Sequence, residues 1–168
     1  MKKVLVNGLP FKGAKINEPA AAIEIFRNRG NLQVYHPKEV IVQGNDQDLA
    51  IHGDHISLQV KDNNCNICLY SDYAEITVEK NSGNLLFYGN HLWVNILENS
   101  SNLYAFGNHT QMLIEDGQGN IQLFGNHHSL EIKNGTAQSY GSYSITFAHP
   151  GAKTKHWGKP HETFRDVR

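Results

Sequence analysis

At 168 residues, with 39% hydrophobic and 18% charged side chains, the chain is long enough for one domain with a real core. Apolar residues recur at fixed intervals, which excludes simple disorder, and no apolar run reaches the length of a transmembrane helix. The net charge of −1 hides a segregation: residues 36–147 carry 12 acidic against 4 basic side chains, while residues 1–35 carry 6 basic against 2 acidic, and residues 148–168 carry 5 against 2.

In chain order, Met1-Lys2-Lys3-Val4-Leu5-Val6 turns to Asn7-Gly8-Leu9-Pro10 too early for a signal-peptide core, so a cytoplasmic protein is expected. Residues 1–20 read as an N-terminal cap or first strand. Asn17-Glu18-Pro19-Ala20 has the form of a capped helix start, which would make 18–28 a short capping helix. The competing reading is a strand, because Ala22-Ile23-Glu24-Ile25 and Asn31-Leu32-Gln33-Val34-Tyr35 align with the later repeat. Both remain open at this point.

From residue 21 to 147 the sequence keeps a period of 18. Gly89-Asn90-His91, Gly107-Asn108-His109 and Gly125-Asn126-His127 recur at that spacing, preceded by Gly53-Asp54-His55 and Ser71-Asp72-Tyr73. Leu58/Val60, Ile76/Val78, Val94/Ile96, Met112/Ile114 and Leu130/Ile132 follow, each pair separated by one outward residue, so this segment is a strand with one buried face. A second strand buries Leu49/Ile51, Ile67/Leu69, Leu85/Phe87, Leu103/Ala105 and Ile121/Leu123. Polar turns rich in Asn, Asp, Ser and Gly join the two. Val40/Val42 extend the pattern backwards, and Ile145 with Phe147 reads as a last inward rung after a shortened corner.

This spacing predicts an all-β single parallel β-solenoid of about eight short coils, roughly 35 Å long at about 4.8 Å per coil. Eighteen residues suit a three-sided left-handed helix, a compact right-handed helix or a flattened roll. Apolar pairs clustered in two strands, rather than one apolar residue every six, favour the right-handed or flattened forms. The Gly-Asn-His and Leu-x-Ile spacing resembles the parallel β-helix superfamily, though no particular family within it.

A residue repeated at one coil position stacks on itself. Asn90/Asn108/Asn126 and Asn66/Asn84/Asn102/Asn120 are expected amide ladders. His52, Tyr70, Tyr88, Phe106, Phe124 and Tyr140 form an expected aromatic column. His91, His109 and His127 occupy one position on adjacent coils; they are candidate zinc ligands, against the plainer reading of a solvated stack. Cys65 and Cys68 form a lone C-x-x-C, read as two ordinary thiols.

Residues 148–168 read as a basic tail carrying Trp157 and Phe164, folding over the last coil or docking a partner; nucleic acid is expected there if anywhere. The acidic body argues against nucleic acid along the coils. The turns are short and uniform, no catalytic motif is present, and no enzyme or cofactor is expected.

The expected function is a protein-binding module facing a basic partner, with imitation of nucleic acid to inhibit a nucleic-acid-binding protein as its narrower form. Its candidate contacts are Asp54, Asp72, Glu75, Glu79, Trp93, Glu98, Leu113, Glu115, Asp116 and Trp157, with Leu86 and Tyr104 also placed outward. Two alternatives are a self-assembling scaffold or homo-oligomer, and a sugar-binding solenoid using the Asn, His and aromatic columns.

Overall fold

The computed structural model describes residues 2–7 and 14–165 and is a parallel β-solenoid of about nine coils. Each coil contributes a long strand and a short one. They are β1 (Lys3–Asn7) and β2 (Ala14–Asn17), β3 (Ala22–Arg27) and β4 (Leu32–Tyr35), β5 (Glu39–Asn45) and β6 (Leu49–His52), β7 (Ser57–Asn63) and β8 (Ile67–Tyr70). Then follow β9 (Glu75–Asn81) and β10 (Leu85–Tyr88), β11 (Trp93–Asn99) and β12 (Asn102–Phe106), β13 (Gln111–Asp116) and β14 (Asn120–Phe124). β15 (Ser129–Tyr140) and β16 (Ser144–Trp157) each run through both positions, and β17 (His161–Arg165) begins one more coil. Among the described residues there is no helix, and so none long and apolar enough to cross a membrane.

Register follows the period. Val40, Leu58, Ile76, Val94, Met112 and Leu130 stack in one inward column, and Leu49, Ile67, Leu85, Leu103 and Ile121 in another. These side chains form one continuous aliphatic core. The open question at 18–28 resolves as a turn followed by strand: β3 places Ile23 on Val40 in a coil of 17 residues. Burial of the Ile23/Ile25 face against the stack outweighs the helix-start signal.

The corner after each short strand explains the Gly-Asn-His motif. The Gly has φ near 150° at Gly53, Gly89 and Gly107, and the His or Tyr two residues later sits in the left-handed region at φ 54–60°. A Cβ on Gly107 would lie 1.8 Å from the Gly89 carbonyl oxygen, so at that corner only glycine fits; Ser71 fills the same place two coils earlier without a positive φ. The residue after the left-handed one points inward: Ile56, Ala74, Leu92, Thr110, His128 and Ser144 are all buried.

The last coils depart from the period. Phe124 pairs with Tyr140 and Leu130 with Thr146, a spacing of 16, because the long turn is cut by two residues between Ile132 and Thr136. This corrects the inward assignment of Ile145 and Phe147. Both point outward, 39% and 44% exposed, while Ser144, Thr146 and Ala148 take the inward places. The coil also runs past residue 147: Asn134–Tyr140 pairs with Gly151–Trp157, and Ser144–Ala148 with His161–Arg165.

Candidate interaction surface

Three outward features were legible as candidates: ring columns, amide ladders and the face of the long strands. The ring columns are real stacks. Tyr35, His52, Tyr70, Tyr88, Phe106, Phe124, Tyr140 and Trp157 lie with centroids 4.5–4.9 Å apart and nearly parallel planes. His55, Tyr73, His91, His109, His127 and Tyr143 do the same at 4.6–5.0 Å along the left-handed corner.

This geometry constrains what the columns can hold. Ring centroids of His91, His109 and His127 are 4.8 Å apart. Two zinc–nitrogen bonds of about 2.0–2.1 Å span at most about 4.2 Å, so one ion does not bridge adjacent rings in this stack. Sugars pack on aromatic faces, and here those faces are taken by neighbouring rings; only ring edges remain.

The exposed ladders share a direction. Side-chain amides of Asn66, Asn84, Asn102 and Asn120 each donate to the oxygen one coil earlier, ending on Asp48. Backbone and side-chain N–H groups of Asn90, Asn108 and Asn126 also donate one coil back; Asn90 donates to Asp72, whose own N–H donates to Asp54. Asn64 donates to Asp46, and Asn134 to Asp116. The terminal member of such a ladder only has to accept, which is what a carboxylate does. The Asn134 amide and the Gly117 N–H hold the Asp116 carboxyl below its ordinary range, and the bidentate Arg27 guanidinium does the same for Asp46. Asp54, Asp72 and Asp116 are therefore already engaged. Glu115 pairs with Lys133, and Glu131 with His149 at 3.3 Å.

A further ladder escaped the sequence reading. Asn28, Asn45, Asn63, Asn81 and Asn99 are buried in the turn interior, and successive amides bond at 2.7–2.8 Å. Their spacing of 17 and then 18 was visible, but each sits among other turn-type residues that masked it.

The thiols of Cys65 and Cys68 are free, and burial pushes both up, away from a reactive thiolate. Cys68 lines a shallow groove with Leu86 and Tyr104 on the short-strand side.

The remaining candidates converge on the long strands. Glu75 and Trp93 are register partners, as are Asn95 and Leu113, and Leu113 and Glu131. Trp93 is 61% exposed, and Leu97, Ile145, Phe147 and Phe164 are exposed on the same outward face. Trp93, Leu113 and Phe147 line one open cleft of about 440 Å³. Phe147 stacks on Phe164 at 5.3 Å. Glu75, Glu79 and Glu98 stand exposed beside this set. Trp157 lies elsewhere, closing the Tyr140 column. No protein-family model, curated protein or solved structure matches the chain.

Proposed function

We propose that this chain is a non-enzymatic binding module that docks a protein partner on the outward face of its long strands. The observation that carries this reading is the grouping of Trp93, Leu97, Leu113, Ile145, Phe147 and Phe164 on one flat, rigid surface. Large aromatic side chains at the centre of a patch, with charges at its rim, are the usual arrangement of an energetic hot spot. Glu131 stands inside the patch, between Leu113 and Phe147, and Glu75, Glu79 and Glu98 stand at its rim, which favours a partner that carries basic residues among apolar ones.

Patch size selects the kind of contact. Four coil steps by four residues give about 19 by 13 Å, or roughly 250 Å² of flat area. A stable interface uses about 800 Å² per partner, so this face suits a short segment or a transient contact better than lateral packing of two copies. Imitation of nucleic acid is a narrower form of the same reading. The three rim carboxylates favour it, whereas Lys61, Lys80 and Lys133 on the same strands dilute the charge.

Capture from a native lysate, washed across a salt series, tests the proposal. Replacing Trp93 and Phe147 together by Ser is expected to cut recovery of the partner at least tenfold at all salt concentrations. Glu75→Gln, Glu79→Gln and Glu98→Gln combined should weaken capture only at low salt. Dominance of the Gln triple variant would turn the reading towards charge imitation. Unchanged capture by both variants would remove the face from consideration.

A further inference from the structure

The inner wall changes chemistry towards the C-terminal end. In the corner column Ile56, Ala74 and Leu92 give way to Thr110, His128, Ser144 and His161. In the short-strand column Phe87, Ala105 and Leu123 give way to Ser139 and His156. Thr110, His128, Ser139 and Ser144 are 1–2% exposed. Neither ring nitrogen of His128 or His156 has a hydrogen-bond partner, and the hydroxyls of Thr110, Ser139 and Ser144 have none either. The Gly125 backbone lies near enough to His128 to favour its proton slightly, but reaches no bonding geometry.

These imidazoles have little to stabilise a positive charge. His128 lies between Thr110 and Ser144 in its column, and the nearby ionisable groups are His109 and His127, which repel a proton. The His156 ring stacks on His161 with centroids 3.4 Å apart, so charging one opposes charging the other. His161 bonds Thr163, and among the described residues Glu162 is the acidic group that favours its proton. Burial therefore holds His128 and His156 down at about 4.

We propose that the last coils, from the His128 corner through β15, β16 and β17, form an acid-released unit, in which buried His128 and half-buried His156 and His161 take up protons and free the end of the stack while the aliphatic coils stay closed. Solenoid coils contact only their neighbours, so an end can open without the rest. The inference stands on the interior alone and does not depend on the docking reading.

The direction follows from linkage. The folded values lie below the ordinary histidine value, so the opened state binds protons more readily. Stability contributed by neutral burial is complete above about pH 6.5 and is lost as pH falls towards 4. Between pH 7.5 and 5, His128 alone raises the opening constant about 30-fold, and His156 adds up to a similar factor.

Hydrogen exchange of the full chain at pH 7.5, 6 and 5, corrected for intrinsic rates, tests this. Protection over residues 144–165 should fall at least about 30-fold by pH 5 while residues 57–99 keep theirs. His128→Leu, His156→Leu and His161→Leu combined should abolish the pH dependence and raise protection at neutral pH. Uniform loss along the chain, no loss at pH 5, or retained pH dependence in the triple variant would overturn it. Should that variant not fold, imidazole NMR titration of the wild-type chain decides instead: His128 charging near pH 6.5 with the C-terminal amides still protected would equally overturn it.

Discussion

Asn81 shows how much one polar side chain contributes here. It is 1% exposed, accepts from Asn63 and donates to Asn99. Asn81→Leu removes both bonds and leaves the Asn63 amide and the Asn99 oxygen without partners in the interior. The cost should be about 2–4 kcal/mol, read as a lower urea midpoint at unchanged slope. Substituting Asn84 in the exposed ladder should cost much less, because water replaces its partners. The same contrast explains where the carboxylates went. Asp46, Asp48, Asp54, Asp72 and Asp116 look like a charged face in the sequence, but each accepts from a neighbouring coil. Sequence charge counts do not distinguish a free carboxylate from the end of a ladder.

At the scale of strands and turns, alternation made β5 to β14 readable, since their inward residues are aliphatic and their spacing constant. It failed at β16, where the cut turn changes the spacing and the inward places pass to Ser144, Thr146 and Ala148. Hydrophobicity then points to the wrong face, because Ile145 and Phe147 are the outward residues. The 16-residue step from Gly125 to Gly141 was the signal that the frame had moved. That misreading also hid Ile145 and Phe147 from the candidate patch, of which Trp93 and Leu113 alone were seen. The polar interior makes a local prediction: Thr110 follows Leu92 in its column and its hydroxyl has no partner. Thr110→Val, nearly the same shape, should stabilise the chain by about 1 kcal/mol, measured by the same urea titration.

Across the whole molecule, the coils are neighbours in a line, and stability is the sum of short-range contacts. The central coils combine aliphatic columns, the buried amide ladder and two ring stacks. The C-terminal coils keep the rings but exchange part of the aliphatic lining for Ser, Thr and His and lose the amide ladder, which ends at Asn99, the next place being held by Gly117. Rigidity and lability therefore occupy opposite parts of one rod, and the apolar face spans the boundary between them. Equivalence of the central coils has a further test. Glu75 and Trp93 occupy the same place, so excising residues 75–92 joins Ala74 to Trp93 without breaking any column. The shortened chain should keep its strand circular dichroism and be about 5 Å shorter by small-angle scattering. Excising nine residues instead should abolish folding.

That interchangeability bears on how such a chain changes over generations. Every ladder member donates and accepts in the same way as the one beside it, so a duplicated or lost 18-residue unit leaves the hydrogen-bond pattern intact. Rod length is thus a quantity that recombination within the gene can alter in whole steps, while the carboxylate-ended start and the histidine-lined finish are inherited unchanged.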